Sequence, residues 1–231
     1  MKAALIVCLI SFVFSVNAQE RTGKIQNHGK TEMDMVLMLF GMDNPISIGT
    51  VDKKGQFKAN LSNLTIDQIP DENRSMSMGD LYFNFYFKCA DKEAFGELYE
   101  KPAARQDFVR LTAKGEWAGT VFLVSDEKLI PWIEDGGYNN PVNGSFYEIM
   151  YVGEDMTINM TCNSSVYAAD NEEVPTEYIF DVELKKGFNW LEYNIEEVYE
   201  TDPNVRASFP SKVTISNVKD PSKMRWIGTY Y

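Results

Sequence analysis

The stretch MTINMTC, residues 156–162, decides the fold class. Met156, Ile158, Met160 and Cys162 share one parity, and Thr157, Asn159 and Thr161 share the other. Successive side chains of an extended chain point to opposite faces, so this order makes a strand with one apolar and one wetted side. Residues 178–184 repeat it, with Tyr178, Phe180, Val182 and Leu184 against Ile179, Asp181 and Glu183. Residues 81–87 repeat it again: Leu81, Phe83, Phe85 and Phe87 alternate with Tyr82, Asn84 and Tyr86, and Cys89 continues the apolar parity. Such half-buried strands belong to a sheet with one face in water.

Outward from these, strands are expected at 33–40, 46–51, 56–61, 108–112, 119–124, 146–152, 213–217 and 224–230, with FNWLEYNI (188–195) as a return strand. Turn chemistry separates them. Asp52-Lys53-Lys54-Gly55 ends in a glycine that accepts positive φ, and Gly153-Glu154-Asp155 and Lys185-Lys186-Gly187 suit tight hairpins. Helix is sparse. DKEAFGELY (91–99) makes a short turn with an acidic head, ended by Pro102. The expectation is an all-β protein: an antiparallel β-sandwich, one large or two small, with little helix. Either a domain boundary or a long loop inside one domain is expected at 67–78, where DQIPDENRSMSM is polar and punctuated by Pro70.

The first residues, MKAALIVCLISFVFSVNA, combine Lys2 with an apolar run and a small-residue site at Ala18. That is the layout of a secretory signal peptide over residues 1–18, leaving 19–231 as the β region of an exported protein, periplasmic, cell-surface or extracellular. No later apolar run is long enough to span a bilayer. The chain has 231 residues, with 22 Lys and Arg against 34 Asp and Glu, for a formal charge of −12. An acidic chain lacks the basic footprint that nucleic acid requires. Cys89 and Cys162 both continue inward-facing parities, so in an oxidising compartment they form either a disulfide or two buried thiols.

ISIGTVDKKGQFKANL, residues 46–61, resembles the strand–turn–strand of carboxypeptidase-regulatory-like (transthyretin-like) modules. With the leader and the aromatic KMRWIGTYY (223–231), the chain resembles exported bacterial β-sandwich proteins of unknown function. The resemblance implies a small sandwich and brings no catalytic residues.

Reactive machinery is absent from the motifs. There is no Gly-x-Ser-x-Gly elbow, P-loop, Cys-x-x-Cys pair or His-Glu-x-x-His helix. The single histidine, His28, lies in a polar stretch and reads as a solvated loop residue. No catalytic residue and no metal ligand set is assigned. Calcium suits the oxygen-rich loops at 134–140 and 170–173, but neither carries Asp-x-Asp-x-Asp-Gly spacing, so no cofactor is assigned. A glycoside hydrolase needs only two converging carboxylates, which sequence spacing in a sheet protein does not reveal.

The most suggestive constellation is PWIEDGGYNN, residues 131–140. Trp132 and Tyr138 stand beside Asp135, Asn139 and Asn140 on a Gly-rich connection, the mixture of flat apolar faces and planar polar groups that sugars or protein surfaces engage. Against that stands the reading of Trp132 as a plug in the sandwich, and Trp117, Trp190 and Trp226 read as core. Six Asn-x-Ser/Thr triplets begin at Asn60, Asn63, Asn73, Asn143, Asn159 and Asn163, and they are glycan acceptors only in a eukaryotic secretory pathway. The expected role is an exported, non-enzymatic binding or structural protein whose partner is a glycan or a protein. Carbohydrate binding through residues 132–140 is the alternative, and a carboxylate-based glycosidase the third.

Overall fold

The computed structural model describes residues 20–39, 45–62, 64, 67, 78–168, 172–204 and 206–231. Its strands in chain order are β1 (Glu20–Gln26), β2 (Met33–Leu37), β3 (Ile46–Val51), β4 (Gln56–Asn60), β5 (Gly79–Asp80), β6 (Pro102–Gln106) and β7 (Val109–Ala113). There follow β8 (Glu116–Val124), β9 (Gly144–Val152), β10 (Met156–Tyr167), β11 (Glu173–Leu184), β12 (Gly187–Tyr199), β13 (Phe209–Asn217) and β14 (Arg225–Tyr230). Among the described residues there are also two short helices, α1 (Leu81–Asn84) and α2 (Ile130–Glu134), and several 3-10 segments.

The all-β expectation agrees with this architecture, but the sandwich does not. Seven strands close on themselves in the order β8, β14, β1, β4, β3, β2, β7 and back to β8. Closure gives each barrel strand a neighbour on both sides, so no backbone edge is left unpaired in the ring. The strand that completes it is β14, antiparallel to β8 and parallel to β1, with Ile25 opposite Trp226. No local pattern announces a pairing over that separation. The antiparallel expectation is corrected at a second place also, because β11 runs parallel to β13.

The remaining strands extend from the barrel as a sheet in the order β9, β12, β13, β11, β10, and β6 pairs the opposite side of β9. Here the tight hairpins expected at 153–155 and 185–187 are replaced by connections between unpaired strands. β13 inserts between β11 and β12 and opens the latter hairpin. The Asn217 side chain accepts from Glu183 N–H at 2.7 Å and donates to the Glu183 carbonyl at 2.9 Å. Asn189 does the same for Lys185, at 2.9 and 2.8 Å. These amides satisfy backbone groups that the interrupted ladder would leave bare.

Two cores lie on opposite faces of the continuous sheet, and β9 serves both. Tyr147, Ile149 and Tyr151 join the barrel cluster with Met35, Leu111, Leu123 and Trp226. Phe146, Met150 and Val152 join the second cluster with Phe85, Phe180 and Tyr193. A strand buried on both faces shows no clean alternation, which is why residues 145–152 read as a nearly continuous apolar run.

Residues 81–87, expected as a strand, begin as α1 and continue as bends. Phe83 is 57% exposed although it shares parity with the fully buried Phe85. The Asn84 side chain takes the place of a partner strand: Nδ2 donates to the Ala103 carbonyl and Oδ1 accepts from Arg105 N–H, each at 3.0 Å. Tyr82, Phe85 and Phe87 are then buried against the second core, and ring packing rather than a ladder holds the segment. The acidic-headed turn expected at 91–99 is present as two short 3-10 turns over Lys92–Leu98 that meet at a kink at Gly96, with Asp91 Oδ1 accepting from Glu93 N–H. Trp190 and Trp226 are buried as expected, but Trp117 is 47% exposed under the guanidinium of Arg110. Cys89 and Cys162 form a disulfide with Cα atoms 5.3 Å apart, tying the α1 segment to β10. The proposed boundary falls largely outside the described residues.

Candidate functional site

Three places hold chemistry: the loop singled out by sequence, a buried ionisable cluster, and a basic groove at the barrel.

In the loop, Trp132 lies in α2 and is 4% exposed. Its ring packs against Tyr86, Phe87 and Phe146 at centroid distances of 5.5, 6.4 and 5.9 Å. Tyr138 is 88% exposed. Asp135 Oδ1 accepts from Gly137 N–H at 3.3 Å, Asn139 Nδ2 donates to the Asp135 carbonyl at 3.0 Å, and Asn140 Oδ1 accepts from Ser208 N–H at 2.7 Å. The polar side chains therefore brace the loop, Trp132 plugs the core, and the two aromatics do not form one stacking face. The sequence grouped these residues by proximity along the chain, and the helical turn sends Trp132 and Tyr138 to different surroundings.

The buried cluster was not legible in advance. Glu148 sits mid-strand in β9 on the second-core face and is 2% exposed. Its Oε2 lies 3.9 Å from Arg105 Nε, and the same Nε is 2.6 Å from Asp107 Oδ1. Burial pushes the Glu148 carboxyl up to about 8, against the pull of Arg105, and the Tyr193 hydroxyl hydrogen-bonds it. At neutral pH it is mostly an uncharged acid. Burial and the nearby Glu148 likewise raise Tyr86, and burial lowers Lys88. Arg105 also lies 5.5 Å over the Tyr86 ring. The arrangement joins β6, β9 and β12 beneath the aromatic cap. A lone Glu in an apolar strand was its only sequence signal.

The groove is built by two connections. The β3–β4 turn has the expected form: Gly55 takes φ +81°, and Asp52 Oδ1 accepts from Lys54 N–H at 2.8 Å and Gln56 N–H at 2.9 Å. This holds Lys53 and Lys54 outward at the turn's tip. The β1–β2 connection packs against it. A β-carbon on Gly55 would lie 2.9 Å from that of His28, so the bare glycine permits the approach. Asn27 and Lys30 both take φ +62°, curling that connection. Between them lies an open cavity of about 890 Å³ lined by Lys24, Gln26, Asn27, His28, Lys30, Lys53, Lys54, Gln56 and Ile25. No carboxylate is among these residues. Asp52 beside the groove accepts from the backbone of Lys54 and Gln56, and Glu32, 71% exposed, lies 3.8 Å from Lys53.

His28 is half-buried rather than freely solvated, and its Nδ1 is 2.9 Å from the Tyr230 hydroxyl. Its Nε2 is buried with no hydrogen-bond partner. Charge counting along the sequence missed this groove because the basic residues come from segments 24–30 and 53–54 of an acidic chain.

Among the described residues no group of three or more His, Cys, Asp and Glu is placed to hold a metal ion, and no helix is long and apolar enough to cross a membrane. No family model, curated protein or solved structure matches this chain.

Proposed function

We propose that the protein is exported and acts as a non-enzymatic binding protein of the cell envelope or exterior, built on the β-barrel and its appended sheet. The observation that carries this reading is the groove: concave, cationic, and lined by amides and lysines with no carboxylate, serine or cysteine. Such a lining attracts and orients a ligand, and it holds no hydroxyl or thiol nucleophile and no acid–base carboxylate pair. The perturbed carboxyl that would otherwise invite an acid–base role, Glu148, is sealed beneath the aromatic cap. The bridge between Cys89 and Cys162 supports export, because such bonds persist in oxidising compartments. The loop at 132–140 lends no support to sugar stacking, since Trp132 is committed to the core.

Two measurements test the reading. The protein recovered from its producing cell should begin at Gln19 and lie outside the cytoplasm; a full-length cytosolic chain refutes export. Turnover of glycan or ester substrates by the purified protein, abolished by one carboxylate substitution, refutes the non-enzymatic reading.

A further inference from the structure

Four lysines on one concavity are out of keeping with a chain of charge −12. Like charges repel when crowded, and an acidic protein has carboxylates to spare for neutralising them. Yet Lys24, Lys30, Lys53 and Lys54 surround a groove with no acid in its lining, and among the described residues the ion pair these lysines make, Lys53 with Glu32, is long and exposed. A potential of this kind favours an anion. The amides of Gln26, Asn27 and Gln56 add a second chemistry, since planar donor–acceptor groups match hydroxyls. The flat ring of His28 adds an apolar surface, while the Ile25 side chain is buried in the barrel core.

His28 lines the groove, with its Nδ1 2.9 Å from the Tyr230 hydroxyl and its Nε2 buried without a hydrogen-bond partner.

We propose that this groove binds an anionic oligosaccharide, a sugar chain bearing carboxylate or sulfate groups, with the lysines meeting the anions and the amides meeting the hydroxyls. The proposal rests on the binding-protein reading and names its ligand class. A cavity of about 890 Å³ accommodates two or three sugar rings of such a chain.

The test is titration calorimetry of the full mature chain with oligogalacturonate, sulfated dextran oligosaccharide, neutral dextran oligosaccharide and inorganic phosphate, at low salt (about 50 mM). One or both charged oligosaccharides should bind, and which of them does so tells carboxylate from sulfate. Neutral dextran should not bind, and phosphate should bind at least about tenfold more weakly than the charged sugar. Changing Lys53 and Lys54 to Gln should weaken binding about tenfold, and changing all four lysines about a hundredfold. These side chains are exposed, and an unchanged thermal transition confirms that the variants fold.

Binding of neutral dextran as tight as that of the charged sugars overturns the proposal, as does phosphate binding as tight as theirs. So does undiminished affinity in the four-lysine variant, or an absence of binding altogether. Failure of the sugars to bind a leader-free exported protein refutes the ligand assignment alone. Hydrolysis of the bound sugar refutes the non-enzymatic reading, while dependence on the same lysines keeps the groove.

Discussion

Glu148→Gln is the perturbation with the most informative expected result. In the unfolded chain this carboxyl ionises near 4.5, and in the fold it is pushed up to about 8 because it is buried. Between those values the native state holds a proton that the unfolded state has released. Stability therefore falls as pH rises through this window, by at most about 1.4 kcal/mol per pH unit. From pH 5 to 8 the group accounts for a loss of about 3 kcal/mol, since the slope is only partly developed at each end. Above the folded value the loss is complete and the slope vanishes. Gln has nearly the same shape and no proton to release, so its stability curve should lack this component. Arg105 keeps Asp107 at 2.6 Å in the variant, so the guanidinium is not stranded. The assay is urea denaturation of wild type and Glu148→Gln at pH 5, 6.5 and 8 with the disulfide intact. The variant should lie within about 1 kcal/mol of wild type at pH 5 and about 2–3 kcal/mol above it at pH 8. Parallel curves for the two proteins would refute the assignment of Glu148 as a buried neutral acid.

Other predictions use the same equilibrium measurement. Cys89→Ser opens a covalent loop spanning a separation of 73 residues and should cost about 4 kcal/mol on the chain-entropy estimate; alkylation without reductant should leave the wild-type mass unchanged. Trp132→Ala should cost about 3–5 kcal/mol, because the ring fills the core, whereas Tyr138→Ala, at 88% exposure, should change stability by less than about 0.5 kcal/mol. Equal small effects for both would restore Trp132 to the surface. At Gly49 a β-carbon would sit 2.0 Å from the Lys58 carbonyl oxygen, so Gly49→Ala must part β3 from β4 and should cost about 3 kcal/mol. An unchanged denaturation midpoint would show that the strands do not approach so closely.

By itself the sequence determined the strand-rich class, the placement of most strands, and the β3–β4 turn. Each is written in local chemistry: period-two alternation at 156–162 and 178–184, or the positive φ of Gly55 after an Asp that caps its own turn. It also set Cys89 and Cys162 on buried positions while leaving open whether they bond. Tertiary structure decided whatever depends on which strands meet. The closure of seven strands into a barrel follows from β14 lodging between β1 and β8, and alternation is identical in a barrel wall and a sandwich leaf. The same limit explains α1: a run of alternating aromatics satisfies a strand, but burial against a sheet face with Asn84 supplying the hydrogen bonds satisfies it as well. The loop at 132–140 and the lysine groove carry that lesson to function. Residues adjacent in sequence were sent apart by one turn of helix, and lysines from separate segments were brought together by the pairing of β1 with β4, because a surface is made by proximity in space and sequence records only proximity along the chain.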